Sequence, residues 1–148
     1  MNHQERLEVR RWVEDAISLF ENTGKENTLA EIADSKGRFV LGERYIFALN
    51  LNGTMLAHPI EPEMTGKVLL DLRDAEGKAF VRRIVDTAKT KGYGYTDYMW
   101  RSPGSHDELH KTLFFERVDG MILCSGFYTP KEDFLESIFK WCRFYGPC

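Results

Sequence analysis

Tyr45-Ile46-Phe47-Ala48-Leu49-Asn50-Leu51-Asn52-Gly53-Thr54-Met55-Leu56-Ala57-His58-Pro59 is the stretch on which the fold turns. Tyr45, Phe47, Leu49 and Leu51 alternate with Ile46, Ala48 and Asn50, the period of two that marks a strand. An Asn-Gly pair between two such runs marks a hairpin, because both turn positions require positive φ. A two-residue turn at Asn52-Gly53 predicts Leu51 opposite Thr54, Leu49 opposite Leu56 and Phe47 opposite His58. Directly opposed residues share a face, so His58 is expected on the side of Phe47, Leu49 and Leu56. Pro59 ends the strand.

Upstream, Val9, Val13, Ala16 and Phe20, flanked by Trp12 and Leu19, have the spacing of one helical face. Asn22-Thr23-Gly24 stops that helix. Thr23 with Glu26 three residues later reads as a capping box for a shorter helix through Leu29, Ile32 and Ala33, ended by Gly37. Downstream, Pro59 to Gly77 reads as a long connection with a helical stretch around Lys67 to Leu72, closed by a type I turn at Asp74-Ala75-Glu76-Gly77. Val81, Ile84, Val85 and Ala88 form the stripe of a helix that ends at Gly92. Three strands follow, Tyr93 to Arg101, Lys111 to Val118 and Met121 to Tyr128, the last two joined by an Asp119-Gly120 turn. Thr129-Pro130-Lys131-Glu132 opens a closing helix over 130–145 with Phe134, Ile138, Trp141 and Tyr145 on one side.

The expected architecture is α+β: a five-stranded antiparallel sheet with helices on one side, a long N-terminal helix and an added C-terminal helix. No linker divides the 148 residues. They read as one domain, with N-terminal helices over 1–35, a core over 37–128 and the closing helix.

Composition narrows the function. A net charge of −3 supplies no basic field for a phosphate backbone, which argues against nucleic acid. Cys124, Cys142 and Cys148 contain no C-x-x-C pair, so neither a disulfide framework nor a structural zinc site is indicated; whether Cys142 and Cys148 serve redox or metal chemistry stays open. His106 and His110 have a spacing that suits a metal only on a helix, and the expectation is a solvated loop without metal or cofactor. No G-x-S-x-G, P-loop, H-E-x-x-H or dinucleotide fingerprint occurs, so an enzyme is not expected. The first residues hold no signal-peptide stretch, and no run is long enough to span a bilayer. As it stands the chain is expected to be cytoplasmic; as a piece of a receptor it would be periplasmic.

Several segments are shared, in order, with a known family. They are Tyr45 to Leu49, Asn52 to Pro59, Gly66-Lys67 with Leu70-Asp71-Leu72, and Asp74 to Val81. Gly94 with Asp97-Tyr98-Met99-Trp100, Arg117 to Gly120, and Gly126-Phe127-Tyr128 complete the set. Over Gly37 to Tyr128 the chain resembles the single Cache domain, type 2, a PAS-like sensor domain of bacterial chemoreceptors and histidine kinases.

The resemblance implies a pocket on the sheet, beneath the long connection, for a small carboxylate such as acetate, propionate, pyruvate or lactate. Lys111, by itself a solvated charge at a strand start, becomes the counter-charge. His58, by itself a satisfied core histidine, becomes a polar partner. Phe47, Tyr98 and Trp100 become walls rather than ordinary core, and the Tyr128 hydroxyl an orienting donor. Two departures stand out. Phe114 follows Lys111 at three residues where the family often has tyrosine, so one hydroxyl contact is expected to be missing. A membrane-spanning helix before the first helix is absent from the sequence. The competing reading is an interaction or dimerisation module of the same fold that binds no ligand and forms a homodimer through its terminal helices.

Overall fold

The computed structural model describes residues 3–130; the expected closing helix, with Cys142 and Cys148, lies outside the described residues. Six strands form an antiparallel sheet: β1 Val40–Leu41, β2 Arg44–Asn50, β3 Met55–Ala57, β4 Tyr93–Arg101, β5 Glu108–Val118 and β6 Met121–Thr129. Their order is β1-β2-β6-β5-β4, with β3 also on β2. Among the described residues three α-helices accompany them: α1 His3–Thr23, α2 Lys25–Ala33 and α3 Phe80–Lys91. This is the expected α+β, PAS-like fold, with β1 as an addition. The extra strand is two residues long and pairs Val40 with Tyr45.

The helices occupy both faces of the sheet, not one. Val9, Val13 and Ala16 of α1 and Ile32 of α2 pack on Ile46, Ala48, Phe114, Leu123 and Phe127. On the opposite face, Val81, Ile84, Val85 and Ala88 of α3 pack among Tyr45, Phe47, Leu113, Phe115, Ile122 and Tyr128. The physical reason lies in β2 and β6, whose alternate positions are apolar on both sides. A strand with two apolar faces needs cover on both.

The β2–β3 register follows expectation at Ala48↔Ala57 and breaks at Leu49↔Met55. The Asn50 carboxamide causes the break: its Oδ1 accepts the N–H groups of Asn52 and Thr54 at 2.9 and 3.0 Å. Gly53, at φ +79°, donates to the Asn50 carbonyl. The loop is therefore longer than two residues, and Leu56 sits in a bulge against the α1 core rather than opposite Leu49. Asp119-Gly120 does make the expected tight turn, with Asp119 at φ 55° and Val118 paired to Met121.

Two local expectations fail. Thr23 gives no capping box: its hydroxyl donates back to the Leu19 carbonyl at 2.7 Å, and Gly24 is the N-cap of α2. Lys67 to Leu72 is not helical. Backbone bonds from Gly66 to Met55 O, Met55 to Lys67 O and Leu69 to Gly53 O lay this segment alongside β3, because the open edge of β3 offers donors and acceptors that a single helical turn would leave unmet.

Candidate ligand pocket

The connection between β3 and α3 closes over the sheet by three clasps. His58 makes the first: its Nδ1 accepts the backbone N–H groups of Ile60 and Glu61 at 3.2 and 2.9 Å, setting up the 3-10 turn Pro62–Met64. Glu61 makes the second, since Arg101 Nη2 lies 3.1 Å from both of its carboxylate oxygens. Asp74 makes the third. It accepts N–H groups from Glu76 and Lys78 within its own turn and, through Oδ2, from Met99 of β4 at 2.9 Å. Burial pushes the Asp74 carboxyl up, but the three N–H groups outweigh it and hold the pKa below the usual carboxylate value. A Cβ on Gly53 would lie 2.6 Å from Leu70 Cδ2, so its hydrogen side chain lets the connection settle this closely.

Beneath the connection the sheet presents Tyr45, Phe47, Tyr98 and Trp100, with His58 at one end. Met64, Leu69 and Leu72 of the connection and Phe80 of α3 complete the walls. Phe80 stacks on Tyr98 at 4.0 Å with the rings 5° apart, and His58 stacks on Phe47 at 5.4 Å and 18°. The space left among them is about 10 Å³, the room of roughly one water. Because Nδ1 of His58 is an acceptor, its proton sits on Nε2, which remains as a donor. Burial, and then the charge of Lys111, lower the His58 pKa to about 3, so the ring is neutral.

Lys111 is 1% exposed and lies behind the wall rather than on it. Its aliphatic stem crosses β6 over Gly126, where a Cβ would come within 2.8 Å of Lys111 Cε. The ammonium then donates to Tyr45 Oη at 2.9 Å. It faces the rings of Tyr45, Phe47, Tyr128 and Tyr98 at 4.2, 5.4, 5.1 and 5.8 Å. Among the described residues no carboxylate comes within ion-pair distance of it. Burial without a counter-charge lowers its pKa to about 7.

The hydroxyls form a directed chain. Tyr128 donates to the Arg101 carbonyl at 2.7 Å, so the 3.2 Å bond between the tyrosines runs from Tyr45 to Tyr128, and Tyr45 accepts from Lys111. The chain ends on the residue whose guanidinium holds Glu61 of the connection. Pocket and cover are thus joined through Arg101.

All six candidate residues, Phe47, His58, Tyr98, Trp100, Lys111 and Tyr128, converge on this core face. Phe114 does not: it belongs to the opposite core, beneath α1, with Arg10 over its ring. An aromatic without a hydroxyl there removes no contact from the pocket. His106 stays in a loop, whereas His110 lies on β5, with Nε2 3.9 Å from Asp97 Oδ1; the helical spacing that would pair them is absent. Four site residues were not singled out from the sequence: Tyr45, Gly126, Glu61 and Arg101. Tyr45 shares the parity of Phe47, a signal that was available. Glu61 and Arg101 meet through tertiary packing alone.

Comparison with known proteins adds the family. A model of the Cache domain matches residues 10–137. The chain belongs to the Cache family. It is 29% identical over 86 residues to the methyl-accepting chemotaxis protein McpP of Pseudomonas putida, and 29% identical over 75 residues to the sensor histidine kinase MctS of Rhizobium johnstonii. Those matches take in 57% and 51% of this chain but 16% of each relative, so the chain spans about a sixth of their length. Among solved structures, the periplasmic sensor domain of a chemotaxis protein aligns at a TM-score of 0.71 with 25% identity, over 86% of this chain and 94% of that one. A Cache chemosensory domain whose structure concerns carboxylic acid recognition aligns at 0.72 with 24% identity, over 88% and 100%. The protein is a Cache sensory domain of the type carried by chemoreceptors and sensor kinases. No helix among the described residues is long and apolar enough to cross a membrane.

Proposed function

We propose that this Cache domain senses a small monocarboxylate such as acetate, propionate, pyruvate or lactate. The supporting observation is Lys111, a buried lysine with no carboxylate beside it among the described residues. An isolated buried ammonium is costly, and an anion in the adjacent hollow supplies the missing charge. The carboxylate is taken up toward Lys111 and Tyr45, His58 Nε2 donates to a second oxygen, and the aromatic walls enclose a short apolar tail. Such a ligand is larger than one water, so Met64, Leu69 and Leu72 move outward to admit it. The ligand site faces the periplasm if the chain is part of a longer receptor, as the named relatives are.

A ligand of about four to six heavy atoms has a ceiling near −1.5 kcal/mol per atom. Affinity is therefore no tighter than roughly 0.3 μM. A thermal-shift screen with these acids tests the reading. At 100 times its dissociation constant a ligand stabilises the fold by about 2.7 kcal/mol, which raises Tm by roughly 5–10 °C for a domain of this size. The shift is expected to vanish in Lys111→Ala. No shift with any acid transfers support to the interaction-module reading, in which the terminal helices pair two copies. A shift retained in Lys111→Ala keeps a ligand but removes the lysine from it.

A further inference from the structure

The inference here rests on the pocket reading above and concerns what Lys111 does when the pocket fills. We infer that a carboxylate entering this pocket draws a proton from solvent onto Lys111, so that occupancy rises as the surroundings acidify. The geometry carries it. Among the described residues, no element packed around the ammonium provides a free negative group. From β2 comes Tyr45, from β4 Tyr98, and from β6 Tyr128 and Cys124; burial pushes all four pKa values upward, so they stay neutral. His58, after β3, stays neutral at the other extreme. Glu61 faces the site from the connection, but both its oxygens are held by Arg101. From α3 the residues that line the pocket are Phe80 and Val81, neither of which ionises. On β5 itself, Leu113 is the next residue on the same face.

Among the described residues, the charge of the pocket near neutral pH therefore depends on Lys111, and burial leaves its pKa at about 7. A carboxylate alongside favours the charged form and raises that pKa. The atoms balance simply: anion plus neutral amine plus one solvent proton gives the carboxylate–ammonium pair. Proton linkage then sets the pH dependence. About 0.1 proton is taken up per ligand at pH 6 and about 0.9 at pH 8, and apparent affinity weakens about tenfold between them.

Calorimetry of acetate binding to the whole chain tests this, run at pH 6 in phosphate and in imidazole and at pH 8 in phosphate and in Tris, each pair differing widely in ionisation heat. The expected result is a heat difference at pH 8 matching about 0.9 proton, a much smaller one at pH 6, and the tenfold change in Kd. Binding with no buffer dependence and a flat Kd overturns the inference and leaves the pocket reading standing. No binding of acetate, propionate, pyruvate or lactate at either pH overturns the pocket reading itself. NMR of the free protein with labelled lysine supplies a measurement independent of any ligand. A Lys111 Cε resonance that titrates near 7 supports the inference, and one that titrates above 9 ends it.

Discussion

Replacing Lys111 with methionine keeps an unbranched stem over Gly126 and removes the charge. The wild-type amine has a folded pKa of about 7 against an ordinary 10.5. A folded pKa lowered in this way means that the unfolded chain binds more protons between those values, so wild-type stability rises with pH across that window. Each unit corresponds to about 1.36 kcal/mol. The buried ammonium therefore costs about 5 kcal/mol at pH 6, where both states are protonated, and about 2 kcal/mol at pH 9, where the folded amine is neutral. Substitution of an unpaired buried charge by a packed apolar side chain recovers such a cost. Lys111→Met is expected to be more stable than the wild type, with an advantage that shrinks by about 3 kcal/mol from pH 6 to pH 9. Urea unfolding at the two pH values, with equal m-values, measures it. An advantage that does not change with pH would refute the assignment of a lowered pKa to this lysine. Lower stability for the variant at pH 6 would refute the account of an uncompensated charge.

Three further outcomes are expected. Asp74→Ala frees the N–H groups of Glu76, Lys78 and Met99 and should cost about 3 kcal/mol, read as a lower urea midpoint, with faster amide exchange at Met99. Gly126→Ala sets a Cβ 2.7 Å from Thr112 O and 2.8 Å from Lys111 Cε; a loss of about 1–3 kcal/mol is expected, and a Tm equal to the wild type would show that Lys111 does not cross there. His58 has a folded pKa of about 3 against 6.5, so its contribution is present above pH 6.5 and is lost as pH falls towards 3. About 2 kcal/mol should be gone at pH 5, and the loss between pH 6.5 and 5 should disappear in His58→Asn, followed by thermal unfolding.

Much of this fold was legible because alternation and turn chemistry are local. β4 has the expected bounds, Tyr93–Arg101, and the hairpin at Asp119-Gly120 closes as its residues require. Parity and turn register put His58 with Phe47, and parity along β4 put Tyr98 with Trp100; that the two pairs line one pocket was what the resemblance implied. What stayed hidden depended on contacts between distant segments. Tyr45 meets Lys111 only because β6 runs between β2 and β5, and strand order is not written in any one strand's pattern. The bulge at Leu56 depends on a side chain, Asn50, that captures two backbone donors. The misplaced helix at Lys67 to Leu72 reflects an open strand edge outcompeting a short local turn. Helix placement was a different kind of miss. Ile46 and Ala48 were visible apolar alternates of Tyr45 and Phe47, and they already required a second cover.

That second cover gives the sheet two interiors separated by the thickness of one strand. Tyr128 anchors the hydroxyl chain on one side while its neighbour Phe127 wedges beneath α1 on the other. Leu113 and Phe114 divide in the same way. A tilt of β6 at Tyr128 therefore reaches the packing of the N-terminal helix across a single peptide bond, with no longer relay to traverse.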